Sequence, residues 1–206
     1  MAEKEAKKDF FDYIRPFAVK YIKPVTDWVF QSKIHTIMVV LAIIFIVVVV
    51  KMMMDLVKHT IVISFLILLG GVSKIYQRYF KVQVGIEFIM LTTVVSGYVY
   101  GAFVGAIVGL FTFSLATYFS GRFSHNLVIS FILMALVGIA SSFFTNVSIT
   151  TAGIVLTLVY NIILIPIYIG FFRGRFTRIF LFSATHIFWN LWVFTALAPY
   201  LVSLLK

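Results

Sequence analysis

The sequence predicts an all-α fold: a polytopic integral membrane bundle of six to seven transmembrane helices, preceded by an amphipathic N-terminal segment. Three observations carry this reading. The 206 residues are 62% hydrophobic and only 12% charged, with a mean hydropathy of +1.09. A water-soluble domain of this size has too little interior to hide so much apolar surface. Uncharged apolar runs recur along the chain, several near the ~20 residues a helix needs to cross a bilayer. Finally, Gly97, Gly101, Gly105 and Gly109 stand at four-residue spacing within V-S-G-Y-V-Y-G-A-F-V-G-A-I-V-G-L-F. Positions four apart lie over one another on a helix. The resulting bare strip, widened by Ala102 and Ala106, lets two backbones approach closely in lipid, where packing holds helices together. It is expected to pack against another helix of the chain or to dock a partner.

Residues 1–33 form a basic segment, and 34–206 a single transmembrane domain. The charged stretch at the start is too long for a cleavable signal peptide, and no A-x-A site follows the first apolar run. Phe10, Ile14, Phe17, Tyr21, Val25 and Trp28 recur at helical spacing among Lys7, Lys8, Lys20 and Lys23. That pattern suits a helix lying on the membrane surface, on its cytoplasmic or interfacial side. Pro16 and Pro24 are expected to break it into pieces, and a poorly ordered basic tail is the competing reading.

The first span is Ile34 to Val50, followed by a loop carrying Lys51, Asp55 and Lys58. The second runs from Thr60 to Val72, extending toward Tyr76, and ends in the basic loop S-K-I-Y-Q-R-Y-F-K. Val84 to Ser120 is too long for one crossing, so a turn is expected near Ser96-Gly97. Leu127–Thr145, Thr150–Phe172 and Ile179–Leu205 complete the set. Charge supports the split. With it, all of the 17 Lys and Arg residues except Lys51, Lys58 and Lys206 fall on one side together with the N-terminus. Without it, R-G-R-F-T-R falls on the wrong face. The excess of Lys and Arg on the cytoplasmic side of membrane proteins then predicts seven crossings of the cell membrane, with the N-terminus inside. The third crossing, Val84 to about Ser96, is short, and is expected to be tilted, broken or re-entrant. The net charge of +10 therefore reports topology. Nucleic acid is not an expected partner, because the basic residues sit in short clusters between spans.

Few residues can carry chemistry. Glu87 is the one acid inside an apolar run. A carboxylate at membrane depth must be neutralised, paired or hydrated. It is either a ligand or proton site, or it pairs with Lys81 or Arg78 near the membrane edge. His186 and Asn190 share a helical face four residues apart, with Trp189 beside them in T-H-I-F-W-N-L-W. Polar groups among aromatic walls are what a small-molecule pocket in a bundle offers. The same groups also serve as hydrogen-bonding glue between helices, with Asn161 of the preceding span as the natural partner. Pro166, one turn and more beyond Asn161, can kink that span. Trp28 fits an interfacial anchor, whereas Trp189 and Trp192 are expected to pack or line a cavity. Arg173, Arg175 and Arg178 orient the chain, or bind lipid phosphate. His125 and Asn126 have no evident role, and the Asn146-Val-Ser sequon lies too close to the membrane for use.

Several activities have no residues to support them. The chain has no cysteine, so disulfides, thiolate metal sites and cysteine nucleophiles are excluded. There is no G-x-x-x-x-G-K-[ST] loop for ATP and no H-E-x-x-H. The acidic cluster of the membrane phosphoalcohol transferases is missing, and no array of intramembrane arginines suggests voltage sensing. Acid–base catalysis would have to rest on His186 and Glu87, which lie on different spans. The expectation is a protein without enzymatic activity, cofactor or metal.

From about Thr60 onward the chain resembles the substrate-binding S components of energy-coupling-factor vitamin transporters. The resemblance rests on V-G-I-E-F-I-M-L-T-T-V-V-S-G-Y-V-Y-G-A-F-V-G-A-I-V-G-L-F and on T-H-I-F-W-N-L-W-V-F-T-A-L-A-P. It implies a six-helix bundle that binds a vitamin-like molecule near its outer side, with Glu87, Asn161, His186, Trp189 and Asn190 expected to line the pocket. It also implies a membrane coupling subunit and an ATPase pair as partners, with the glycine strip as the docking face. The Ile34–Val50 span is additional to that pattern, and the basic loop Lys74–Lys81 stands where the family has a long external loop. The glycine-rich stretch is also similar to one in the rod-shape MreD family, which implies a structural membrane scaffold without a small ligand. The acid that often ends the MreD helix is replaced here by Leu115-Ala116-Thr117.

Overall fold

The computed structural model describes residues 16, 18–30, 32–80, 84–123, 127–172 and 176–205. Every element among them is helical. Lys7, Lys8, Phe10, Ile14 and Phe17 of the N-terminal segment, and Lys81, His125, Asn126, Arg173, Arg175 and Lys206, lie outside the described residues. The chain divides into two compact units, Met1–Lys58 and His59–Lys206.

In the first unit a short π-helical turn, Ala18–Ile22, leads into α1, Lys23–Phe30. Pro24 stands in the first turn of α1, where a missing N–H costs no helical bond. Pro24 does not interrupt the helical course, which is continuous over 18–30. Trp28 is about half exposed. Its ring stacks on His35 at 4.4 Å, and its carbonyl is 3.0 Å from His35 Nδ1.

The next helix, α2, spans Lys33–Val72 without a break. The loop expected at Lys51–Lys58 is absent. The segment K-M-M-M-D-L-V-K holds neither Gly nor Pro and consists mostly of good helix formers, so its charges interrupt the hydropathy and not the helix. Its 40 residues are about twice what one crossing requires.

In the second unit, α2 from His59 onward is followed by a 3₁₀ turn at Ile75–Arg78 and a non-helical segment at 84–88. Then come α3 (Ile89–Tyr100), α4 (Ala102–Ser120), α5 (Leu127–Ser141), α6 (Ile149–Gly170), α7 (Phe176–Ala196) and α8 (Ala198–Leu205). A final span Ile179–Leu205 was expected as one piece. The helix instead breaks at Leu197, just before Pro199, which then occupies the first turn of α8. Pro166 is accommodated inside α6.

The short helix α3 is the centre. Ile89 through Tyr98 are all buried, and α3 packs on α4, α5, α6, α7 and α8. The turn after it falls at Gly101, four residues later than the sequence predicts. Gly101 has φ 91° and ψ 173°, a region open essentially to glycine alone. Ser96 and Gly97 lie instead inside the buried helix. The four glycines thus do not form one strip. Gly97 lies on α3, Gly101 is the hinge, and Gly105 and Gly109 lie on α4.

The fold-back at Gly101 sets Gly97 against Gly105 and Thr93 against Gly109, and α5 closes the sandwich from the other side. A Cβ on Gly97, on Gly105 or on Gly138 of α5 would collide with backbone atoms of the facing helix. The seam is filled by the chain's own helices. Gly70 and Gly71 likewise bring the end of α2 against Thr112 and Leu115 of α4.

Polar side chains share the interior with the apolar core, and large apolar side chains cover the outside. Thr92, Thr93, Ser96, Thr112, Ser141, Thr157, Asn161, Ser183, His186 and Asn190 are buried, while Phe103, Phe111, Phe180 and Phe188 are exposed. Five helical segments are long and apolar enough to cross a membrane by length and composition: Lys33–Arg78, Ala102–Ser120, Leu127–Phe144, Ile149–Gly170 and Phe176–Ala196. The helix α3 is shorter than these.

The two kinds of glycine constraint separate experimentally. Gly101→Ala meets no neighbour and is expected to cost the ~1–3 kcal/mol of backbone strain alone. Gly105→Leu drives a side chain into the α5 backbone and should exceed the usual ~1–3 kcal/mol of overpacking. Phe103→Leu, on the exposed face, should stay within about 0.5 kcal/mol of the parent. Thermal unfolding of the purified protein in mild detergent ranks the three.

Candidate functional site

The site is built around a segment with no regular structure. Residues 84–88 pass between the turn after α2 and the middle of α7, and four of their backbone groups are met by side chains from these two places. Tyr76 Oη and Gln77 Nε2 donate to the Val84 carbonyl at 2.8 and 3.1 Å. Thr185 Oγ1 accepts from Gly85 N–H at 2.8 Å, and Ser73 Oγ from Phe88 N–H at 3.0 Å. Trp189 Nε1 donates to the Glu87 carbonyl at 3.0 Å. Non-helical backbone inside an apolar bundle is tolerated when its polar groups are paired in this way. A Cβ on Gly85 would fall on the backbone of His186, so glycine is what lets the segment lie flat against α7.

This path carries the Glu87 side chain into the core, where it is 1% exposed. Its partner is Lys74, whose Nζ lies 2.6 Å from Oε2. The sequence points to Arg78 or Lys81 instead. Arg78 is exposed, because the 3₁₀ turn carries it away from the face that holds Lys74. On its other side Glu87 Oε1 lies 3.7 Å from His186 Nε2, too long for a hydrogen bond but close enough for charge to be felt. His186 is itself fully buried. Asn161 Nδ2 donates to the Thr157 carbonyl at 2.8 Å and meets His186 Nδ1 at 2.9 Å. With Asn161 so oriented, Nδ1 accepts and Nε2 carries the proton toward Glu87. Phe182 stacks on the imidazole at 5.4 Å, and Tyr160 tilts against it at 5.5 Å. Asn190 Nδ2 donates to the His186 carbonyl on its own helix at 2.9 Å. Trp189 packs on Phe88 at 5.5 Å and on the half-exposed Trp192 at 5.2 Å.

Glu87, Asn161, His186, Trp189 and Asn190 therefore meet in one place, drawn from the 84–88 segment, α6 and α7. Glu87 and His186 face each other although they lie far apart in the sequence. None of the five lines the neighbouring cavity, however. That cavity, of about 450 Å³, is bounded by Lys74, Phe113, Arg122, Ser130, Tyr160, Leu164, Tyr168, Arg178 and Phe182, among others. The Ser130 and Tyr168 hydroxyls are hydrogen-bonded to each other at 3.1 Å in its wall. Lys74, Tyr160 and Phe182 belong to both the cavity and the ring of contacts around Glu87 and His186, so the two are neighbours with a shared wall.

Sequence reasoning missed Lys74, Ser73, Tyr76 and Gln77, taken together as a basic loop. The available signal was their polar density immediately after the Gly70-Gly71 pair that ends an apolar run. Tyr160, Tyr168 and Ser130 carried no such signal. Among the described residues, no group of three or more His, Asp or Glu side chains could hold a metal ion.

The chain matches no family model, no curated protein and no solved structure.

Asn161→Leu would leave Nδ1 of the buried His186 without its partner, at an expected cost of ~1–3 kcal/mol. Trp189→Phe, which removes a donor but keeps the ring contact with Phe88, should cost about 1 kcal/mol. Chemical denaturation in detergent, followed by tryptophan fluorescence for the first variant and circular dichroism for the second, checks both values.

Proposed function

We propose that the chain is a multi-pass cell-membrane protein that binds a small molecule inside its helical bundle, as the substrate-binding subunit of an importer. The observation that carries the proposal is the cavity of about 450 Å³ beside an ion pair whose carboxylate is buried. Its volume is in the range of small-molecule sites, ~300–1,000 Å³, and its aromatic walls with a few polar groups are typical of them. The extensive exposed apolar surface of the helices supports placement in lipid. Arg122, Arg178 and Lys74 gather at one end of the bundle, which the positive-inside bias assigns to the cytoplasm. The basic N-terminal tail goes to the same side by the same bias.

In this reading Lys74 links the ligand to the network. Glu87, Asn161, His186, Trp189 and Asn190 form the supporting wall that fixes Lys74, Tyr160 and Phe182. The chain itself hydrolyses nothing, and energy would come from a membrane coupling subunit with an ATPase pair, as in the energy-coupling-factor transporters it resembles. Docking of that subunit through the glycine seam finds no support, since Gly97, Gly105 and Gly109 are covered by the chain's own helices. The same fact favours the second reading, a scaffold similar to the MreD family. There the buried network is structural and the exposed apolar faces meet partner helices.

Purification from native membranes in mild detergent decides between them. The importer reading predicts a co-purifying small molecule, identified by mass spectrometry after extraction, together with a coupling subunit and ATPases. Ser130→Phe, which fills the cavity, should abolish the small molecule while the protein stays monodisperse. Recovery of envelope-building proteins with no small molecule would establish the scaffold instead.

A further inference from the structure

The charge on the cavity wall is unbalanced. Among the described residues three cations line it, Lys74, Arg122 and Arg178, and no carboxylate does. The ion pairs among the described residues both involve Glu87, which lies behind Lys74. Lys74 is thus already neutralised, and its Nζ rests 5.0 Å over the Phe113 ring. Among the described residues, no carboxylate pairs with Arg122 or Arg178. Arg122 is held in place by a 2.6 Å bond from Nη2 to the Phe80 carbonyl, which orients the guanidinium without balancing its charge. A half-buried guanidinium at the mouth of an apolar cavity favours an anion as its complement, and its fork geometry suits carboxylate and phosphate.

The cavity shares part of its wall with a second groove. Phe113, Thr117, Phe123 and Leu127 belong at once to this wall and to the groove, which lies between α4 and α5. The groove continues past Ser114, Val128 and Phe131. Ser114 and Val128 are exposed, so the groove runs onto the outer surface of the bundle. Its lining is almost wholly apolar. A water-soluble ligand entering from the basic end would have no use for this groove. A molecule with an anionic head and a hydrocarbon chain would use both parts.

We propose that the site takes an anionic amphiphile, a long acyl chain ending in a carboxylate or phosphate. The head sits against Arg122 and Arg178, and the chain leaves between α4 and α5 into the lipid. This deepens the small-molecule reading above and rests on it for the cavity being a binding site. It names the ligand's chemical class and its route, which is sideways from the bilayer and not from water.

The test uses the full chain in nanodiscs of phosphatidylcholine, with four probes measured by native mass spectrometry: palmitate, palmitoyl lysophosphatidate, hexadecanol and inorganic phosphate. Palmitate or lysophosphatidate, or both, should bind at least about tenfold more tightly than hexadecanol and inorganic phosphate. Which of the two is preferred tells a carboxylate head from a phosphate one. The double variant R122Q/R178Q should lose that preference, while R122K/R178K, which keeps the charges, should retain most of it. Val128→Trp, on the exposed groove, should weaken the acyl anions without touching either arginine.

Equal binding of hexadecanol, or tight binding of inorganic phosphate alone, overturns the proposal. So does unchanged anion binding in R122Q/R178Q with V128W. If the molecule co-purified from native membranes is neutral or without a chain, and is insensitive to these variants, the inference fails while the small-molecule reading stands. If nothing binds and Ser130→Phe displaces nothing, both fail.

Discussion

A carboxylate that is 1% exposed inside an apolar bundle has to be neutralised by its neighbours, and that requirement organises this molecule. Glu87 is countered by Lys74 from the end of α2 and faces His186 from α7. To reach that position, the chain gives up regular structure over 84–88. Four of the backbone groups exposed by doing so, Val84 C=O, Gly85 N–H, Glu87 C=O and Phe88 N–H, are met by side chains of Ser73, the 3₁₀ turn and α7. The ion pair fixes where α2 ends, where α3 begins and how deeply α7 sits. Removing one partner of such a pair strands the other charge, which is why buried pairs are sensitive to single substitutions.

The second constraint is the close approach of α3, α4 and α5. A helix of 12 residues is too short to cross a bilayer by itself, yet α3 is the most buried element. It can occupy the centre because glycine allows backbones to touch on both sides, at Gly97 with Gly105 and at Gly105 with Gly138. In lipid the association of helices depends on such contact and on polar groups turned inward. The buried Thr, Ser, Asn and His side chains supply the latter. Seam and ion pair are linked through α3: its first turn is set by the 84–88 segment, and its last turn by the hinge at Gly101.

The helical class was legible from composition, and most helix ends from charge and glycine. The convergence of Glu87, Asn161 and His186 was legible in part, because an isolated acid and an isolated His–Asn face each need a partner. What the sequence concealed has physical causes. The continuity of α2 through Lys51–Lys58 follows from helix propensity, which hydropathy does not report. The turn at Gly101 in place of Ser96-Gly97 depends on which of several glycines has to adopt a positive φ, a tertiary decision. Lys74 was hidden in a run of basic residues that topology alone explained. The cavity depends on Tyr160, Tyr168 and Ser130, whose placement follows from how α5 and α6 lean on each other and from no local pattern.

The measurement that bears most directly on this account is a double-mutant cycle on Lys74→Met and Glu87→Gln, read as thermal stability in detergent. A buried pair that organises the fold predicts that each single variant is strongly destabilised, by about 3–5 kcal/mol. It also predicts that the double variant is no worse than the poorer single, so that the coupling is large and favourable. Losses that are small and simply additive would contradict it, and would mean that the packing of α3 against α4 and α5 holds the fold without help from Glu87.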